Sequence, residues 1–275
     1  MARSEWKVSS SSGLKVHFRP EDEQDARIIE QACADSLAVI EKEWGLKVPS
    51  LCSVYVMTDW RSFIFDSANS IQRLRYKLGY PLWARRIQAM WEYVGGWALP
   101  YRRAPVVGIK PARLMITSDL TIGRQIFREQ TDPVKKIRSI TAHELTHAAA
   151  AHLSLPAWLN EGLAMRSADA VLGEETVLPQ TVEQLKNPRR GLRTWALMNT
   201  NLQFRGSEDL VYRYVRGYWI TRYLQATNPQ GLRLILTRKL PQRILYQQLQ
   251  ALLETRTIHF WAQIDRLTYE AFKKT

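Results

Sequence analysis

One stretch constrains the fold of this chain more than any other: residues 141–166, with the sequence TAHELTHAAAAHLSLPAWLNEGLAMR. Asp132 and Pro133 predict the start of a helix that runs into it, because aspartate accepts the free N–H groups of a first turn and proline fits the first helical position. Pro156 interrupts that helix, and the residues after it predict a second helix that carries WLNEGLA. The sequence therefore predicts two consecutive helices with polar residues set in largely apolar surroundings.

Two histidines of the first helix, His143 and His147, are four residues apart in the sequence. Residues at this spacing lie about 40° apart around a helix axis and about 6 Å apart along it, so both imidazoles can reach one metal ion. A catalytic zinc ion usually has three protein ligands and one open position. Glu161, on the second helix, is the natural third donor. We therefore predict one Zn²⁺ per chain, bound by His143, His147 and Glu161.

Glu144 points away from the line of ligands but is long enough to reach a water molecule on the metal. A carboxylate in that position suits a general base. The opposing interpretation is a helix with hydrogen-bonded histidines and no metal, because HExxH is a short pattern that also arises by chance. The capped helix, the proline break and the acidic residue after it favour the metal site. We expect a structural role for His152 and assign no role to His17 or His259.

The motif HELTH followed by LPAWLNEGLA resembles the gluzincin metallopeptidases, in particular the peptidase-MA-like group with its HExxH…PxWLxEGLA pattern. The resemblance is specific over residues 139–166 and weaker from residue 112 to the C-terminus. It implies a zincin-like fold with zinc on His143, His147 and Glu161. It also implies that Glu144 is the catalytic base.

Two further segments share this resemblance. YVRGYWITRYL, residues 214–224, is similar to a family helix whose leading tyrosine reaches the active site, so Tyr214 is the candidate to stabilise the oxyanion. Most tyrosines of this segment are expected to be packing residues. Gly217 lowers helix propensity and predicts a close approach of two helices. ARLMIT, residues 112–117, resembles the edge strand along which an extended peptide pairs.

The rest of the chain predicts an α+β fold. LKVHF (14–18) alternates like a half-buried strand, residues 50–58 form a second strand, and 105–109 with 112–117 form a hairpin. Ile29, Cys33, Leu37, Ile40 and Trp44 recur at helical spacing, and Gly45 follows as a C-cap. Helical patterns then continue from residue 133 almost to the end. We predict an N-terminal α+β lobe, 1–154, and a helical C-terminal lobe, 155–275, within one catalytic domain.

Residues 60–104 read as a helical insertion rich in aromatic residues, among them Trp83, Trp91 and Trp97. Basic and aromatic residues together also suit a membrane surface. Packed core or a lid over the site is the favoured interpretation, and peripheral membrane contact is the less favoured one. We expect a helical cover that restricts access to the zinc. The flanking residues Arg85, Arg86, Arg102 and Arg103 would then hold an acidic substrate or an anionic surface.

The net charge of +13, from 39 Lys and Arg against 26 Asp and Glu, would suit anionic partners. The arginines are scattered in pairs and no nucleic-acid-binding signature is present, so we expect no sequence-specific binding of nucleic acid.

The sequence has no apolar run of about 18 residues and no signal-peptide pattern. Cys33 and Cys52 are too few for a disulfide framework, so buried thiols and a cytoplasmic location are expected.

The sequence therefore predicts a zinc-dependent peptidase that acts on a peptide or protein substrate, and it leaves the oligomeric state open. One alternative is a catalytically silent, metal-stabilised regulatory or binding module. Glu144 argues against it, because a structural site needs no free carboxylate and is usually closed by four protein ligands. The other alternative is a basic binder of membrane or nucleic-acid surfaces, whose binding would depend on salt and survive zinc removal.

Overall fold

The computed structural model describes residues 6–91, 94–99, 104–115, 123–186, 207–255 and 260–273. The predictions for Arg102, Arg103, His259 and the last two residues of ARLMIT lie outside these ranges, as does the side chain of Arg86. Within them, the chain is mostly helical, with one small mixed sheet in its N-terminal part. The α+β prediction is therefore confirmed.

The sheet contains five strands in the order β1-β2-β3-β5-β4, so β1 and β4 are its edges. Strands β2, β3 and β5 are parallel, and the two edge strands are antiparallel to their neighbours. The predicted alternation in β2 is confirmed, because Leu14, Val16 and Phe18 are all buried. The strand bounds are β1 Lys7–Ser11, β2 Leu14–Phe18, β3 Ser53–Val56, β4 Gly96–Leu99 and β5 Val106–Ile109.

The described residues form eleven α-helices, among them the predicted helices before Gly45 and after Asp132 and Pro156. Gly45 ends α1 with a φ of 69°, in the left-handed conformation that the C-cap prediction requires. The bounds are α1 Glu23–Trp44, α2 Trp60–Ser67, α3 Ser70–Trp91, α4 Ala112–Met115, α5 Gly123–Ile126, α6 Pro133–Ala150, α7 Ala157–Leu172, α8 Ser207–Thr227, α9 Pro229–Ile235, α10 Gln242–Leu252 and α11 Phe260–Phe272.

Two predictions about the sheet are wrong. The segment expected to form a strand from residue 112 begins with helix α4, because Ala, Arg, Leu and Met are strong helix formers. The carboxylate of Asp25 on α1 accepts the Ala112 N–H and so caps this short helix from a distance. The antiparallel partner of β5 is instead β4, which lies inside the insertion predicted to be helical. The segment becomes a strand because it pairs with β5, and the strand propensity of its own residues does not predict this.

Helix α6 lies at the centre of the fold, in contact with α1, α7, β4 and β5. One hydrophobic cluster joins the sheet and α1 to the C-terminal helices, so residues from both sides of position 154 share a core. Within the part of the chain that the structure describes, no helix combines the length and apolar composition of a membrane span.

Candidate metal centre

Helices α6 and α7 position the three predicted ligands. Asp132 caps α6 by accepting the N–H groups of Val134 and Lys135, as the sequence predicts. The chain turns after Ala150, and Pro156 precedes the first turn of α7, which carries Glu161. The connection is short, so it brings the start of α7 back against α6.

The structure brings His143, His147 and Glu161 together. The Nε2 atoms of the two histidines are 3.1 Å apart, and their rings are nearly perpendicular at 85°. Glu161 Oε2 lies 3.3 Å from His143 Nε2 and 3.6 Å from His147 Nε2. Between 14% and 20% of each of the three side chains is exposed. Three donor atoms therefore converge on one point at the border of the buried core.

The spacing of these donors fits a metal ion. Tetrahedral ligands at about 2.0 to 2.1 Å from one ion lie roughly 3.3 Å from each other, which matches the three observed separations. The two Nε2 atoms face each other at 3.1 Å, so a metal ion between them could accept a lone pair from each. Glu161 Oε2 is buried and has no hydrogen-bond partner of good geometry among the described residues. A cation at this point would satisfy all three atoms.

The charges of the triad are strongly coupled. Burial lowers the pKa of His147, but the carboxylates of Glu161 and Glu144 and a hydrogen bond with Asn160 together outweigh burial and raise that pKa to about 9. Burial opposes ionisation of Glu161, and the two histidines more than compensate, so its pKa falls well below the usual range. The site therefore keeps its carboxylate ionised and favours positive charge beside it.

Glu144 is buried next to the triad and is not part of it. Burial raises the pKa of its carboxyl group, and the nearby histidines only partly offset this effect. The backbone N–H of Ala98 on β4 donates a hydrogen bond to the carboxylate. A Cβ atom at Gly96 would lie only 2.6 Å from Glu144 Cγ, so glycine is needed for β4 to approach this closely. The edge strand of the sheet thus holds Glu144 in place.

Tyr214, the predicted oxyanion residue, lies on α8 beside the triad. The negative charge of Glu161 and burial raise its pKa well above the usual value, so the phenol stays protonated. It also shares a hydrogen bond with Glu161. Tyr212 and Tyr218 have different partners, because their hydroxyl groups donate to the buried carboxylates of Asp265 and Asp169. These two are packing residues, as the sequence predicts for most tyrosines of the segment.

A close helix crossing fixes Tyr214 relative to Glu161. A Cβ atom at Gly162 would lie 2.3 Å from the Gly217 carbonyl oxygen, and one at Gly217 would lie 2.3 Å from the Trp158 carbonyl oxygen. Only glycine fits at either position, so the predicted close approach at Gly217 is confirmed. Because Gly162 follows Glu161 directly, the crossing locates the third ligand and the tyrosine together.

The triad opens into a cleft of about 1170 Å³. Its walls come from the residues after α3, from β4, α6 and α7, and from the start of α8. The other two histidines among the described residues lie apart from the triad. His152 Nδ1 is 3.0 Å from the Ala149 carbonyl oxygen, and His17 stacks on Tyr55. Glu144 and Tyr214 both line this cleft.

A scan against protein-family models and a search of curated proteins found no match for this chain. The resemblance to gluzincins therefore remains a prediction from the motif, and the site is interpreted from its own geometry.

Four site residues were missed in the sequence. Gly96 and Ala98 contact Glu144, Asn160 lies beside His147, and Arg213 lines the cleft next to Tyr214. The pair Gly95-Gly96 was a usable signal, because two glycines after a helical pattern mark a place where backbone approaches another element. Ala98 gives no such signal, because its contribution is a backbone N–H.

Proposed function

We propose that this protein is a zinc-dependent metallopeptidase with a zincin-like arrangement of α6, α7 and the sheet. The observation that carries the proposal is the site of three donors, His143, His147 and Glu161, with a second carboxylate, Glu144, beside it. Two imidazole nitrogens and one carboxylate oxygen at tetrahedral spacing suit zinc, which accepts both donor types. A structural metal site would not need the buried Glu144, and it would usually have a fourth protein ligand.

When bound, zinc would polarise the scissile carbonyl and make a coordinated water more acidic. Glu144 takes the proton from the attacking water and transfers it to the nitrogen of the leaving amine. Its raised pKa suits this double role, because an efficient base has a pKa near the working pH. Tyr214 remains protonated, and its single O–H would exchange the hydrogen bond to Glu161 for one to the carbonyl oxygen as that oxygen becomes negative.

Strand β4 is the element along which a peptide substrate would bind. It is an edge strand, and its Gly95 carbonyl accepts the Lys110 N–H. Because antiparallel backbone groups alternate in direction, the groups of Gly96 and Ala98 then point away from β5. The Ala98 N–H is bonded to Glu144, which leaves the Ala98 carbonyl and both groups of Gly96 for a peptide. An extended peptide would add to this edge, with its scissile bond beside Glu144. This strand replaces ARLMIT as the proposed substrate strand.

Cleavage of an unstructured peptide mixture, followed by mass spectrometry, tests the proposal. We expect cleavage that a chelator abolishes and that added zinc restores. Glu161→Ala should lose most of its zinc, while Glu129→Gln, which removes an exposed carboxylate from the same cleft, should retain zinc and activity. The proposal is wrong if purified, zinc-loaded protein cleaves no peptide, or if cleavage persists in protein shown to be metal-free.

A further inference from the structure

Helix α3 has two apolar faces. One face packs on α2 and the sheet through a cluster of aromatic side chains. Trp83 contacts Trp60 edge-on at 5.8 Å, and Tyr80 stacks on the same ring at 6.2 Å. Trp60 Nε1 also donates a hydrogen bond to Gln88 Oε1 at 2.9 Å. This face is the packed insertion that the sequence predicts.

The opposite face of α3 is aliphatic and exposed. Ile71, Leu74, Leu78 and Leu82 recur at three- and four-residue intervals and are 67%, 58%, 76% and 89% exposed. Residues at these intervals form one stripe along a helix. We call these four residues the α3 stripe. Single exposed leucines are common on protein surfaces, but four in line on one helix indicate a surface that contacts something.

The charged residues of helix α3 itself all have one sign. Helix α3 contains five Lys and Arg and no Asp or Glu, and residues 67–91 contain no acidic residue at all. Arg75 and Arg85 are exposed at the sides of the stripe. The preceding acidic residue, Asp66, accepts a hydrogen bond from Trp6 Nε1. Helix α3 therefore presents only positive charges beside the stripe.

The exposed leucines and the basic residues of α3 together indicate what kind of partner this face would bind. A second copy of the chain would bring two uniformly basic helices together, and their repulsion disfavours a dimer through this face. An anionic phospholipid surface complements both properties, because acyl chains accept the leucines and headgroup phosphates attract the arginines. The basic residues prevent the helix from crossing the bilayer, so it would lie in the plane of the interface.

We propose that the α3 stripe docks the protein on membranes that contain anionic phospholipid. The packed aromatic face holds α3 against the sheet, so docking uses a preformed surface. The proposal does not depend on peptidase activity. It assigns the basic residues of α3 to membrane contact, which is the less favoured interpretation of the sequence.

Co-sedimentation with lipid vesicles tests the proposal, using phosphatidylcholine vesicles with and without phosphatidylglycerol. We expect binding only to the anionic vesicles, and weaker binding as salt increases. Leu78→Gln with Leu82→Gln should weaken binding by at least about tenfold. Arg75→Gln with Arg85→Gln should weaken it roughly tenfold or more, since each charge near the surface contributes about fivefold. Glu144→Gln should bind like the parent, which separates this result from the proposed activity.

Matched controls distinguish the stripe from general surface properties. Leu51→Gln with Leu234→Gln removes two exposed leucines elsewhere, and Arg238→Gln with Lys239→Gln removes two exposed charges. Both control pairs should bind anionic vesicles nearly as well as the parent. The proposal is wrong if the parent does not bind them, or if the control pairs lose as much binding as the stripe variants. Self-association that the stripe variants abolish, without vesicle binding, would instead identify a dimer interface.

Discussion

Helices α6 and α3 are both long, but α6 buries polar side chains and α3 exposes apolar ones. Helix α6 buries Glu144 and brings two histidines together at the edge of the core. Helix α3 leaves Leu78 and Leu82 exposed to solvent. Each arrangement costs free energy unless a partner compensates, because buried charge and exposed apolar area are both unfavourable. For α6 we propose that a metal ion compensates, and for α3 an anionic membrane surface.

The two helices also differ in how their neighbours restrain them. Helix α6 is enclosed by α1, α7 and the sheet. Helix α7 is itself held close to α8 where Gly162 and Gly217 meet, so it can shift little relative to α8. Helix α3 packs through one face only, against an aromatic cluster. We therefore expect small changes near α6 to alter chemistry or stability, and larger changes on the outer face of α3 to alter neither.

The largest effect is expected for Glu144→Gln. This change removes the proton acceptor and keeps the size of the side chain. Peptide cleavage should fall by about 10² to 10⁴-fold, the usual contribution of a general base. Zinc content and melting temperature should match the parent, which assigns the loss to chemistry. Full activity in the metallated variant would remove Glu144 from the mechanism.

A smaller loss is expected for Tyr214→Phe. The phenol donates to an oxygen that becomes negative only in the transition state, so kcat should fall roughly 10²-fold with little change in KM. Tyr223→Phe, on the same helix and outside the cleft lining, serves as the control. An increase in KM alone would mean that Tyr214 binds substrate and does not stabilise the oxyanion.

Gly217→Ala should lower the free energy of unfolding by about 1 to 3 kcal/mol. The new methyl group collides with the Trp158 backbone, and that strain exceeds the gain in helix propensity. Gly79→Ala in α3 is the comparison, because its Cβ meets only the Trp83 side chain at 3.1 Å. We expect a change below about 1 kcal/mol there. Equal losses in chemical denaturation would contradict the contrast between the two regions.

The smallest effect on stability is expected for Leu78→Gln and Leu82→Gln. Both side chains are exposed, so each substitution should change the free energy of unfolding by no more than about 0.5 kcal/mol. Thermal melts of the single variants measure this. A loss above about 2 kcal/mol would show that the outer face of α3 is covered within the folded protein.

The sequence predicts α6 well and α3 only in part, for a physical reason. Polar residues at helical spacing in an apolar helix stand out, and Asp132 and Pro133 mark where that helix begins. In α3, apolar residues occupy both faces, so periodicity cannot tell which face is packed. The strand β4 and the helix α4 were predicted wrongly, because pairing with β5 and capping by Asp25 depend on residues far away in the chain.

Anomalous diffraction on both sides of the zinc absorption edge, from crystals of the zinc-loaded protein, tests whether the triad binds zinc. We expect one zinc peak per chain, about 2.0 to 2.2 Å from His143 Nε2, His147 Nε2 and a carboxylate oxygen of Glu161, with Glu144 outside bonding distance. A zinc-loaded crystal with no peak between these three side chains would contradict this expectation. A peak that Glu144 ligates in place of Glu161 would contradict it equally.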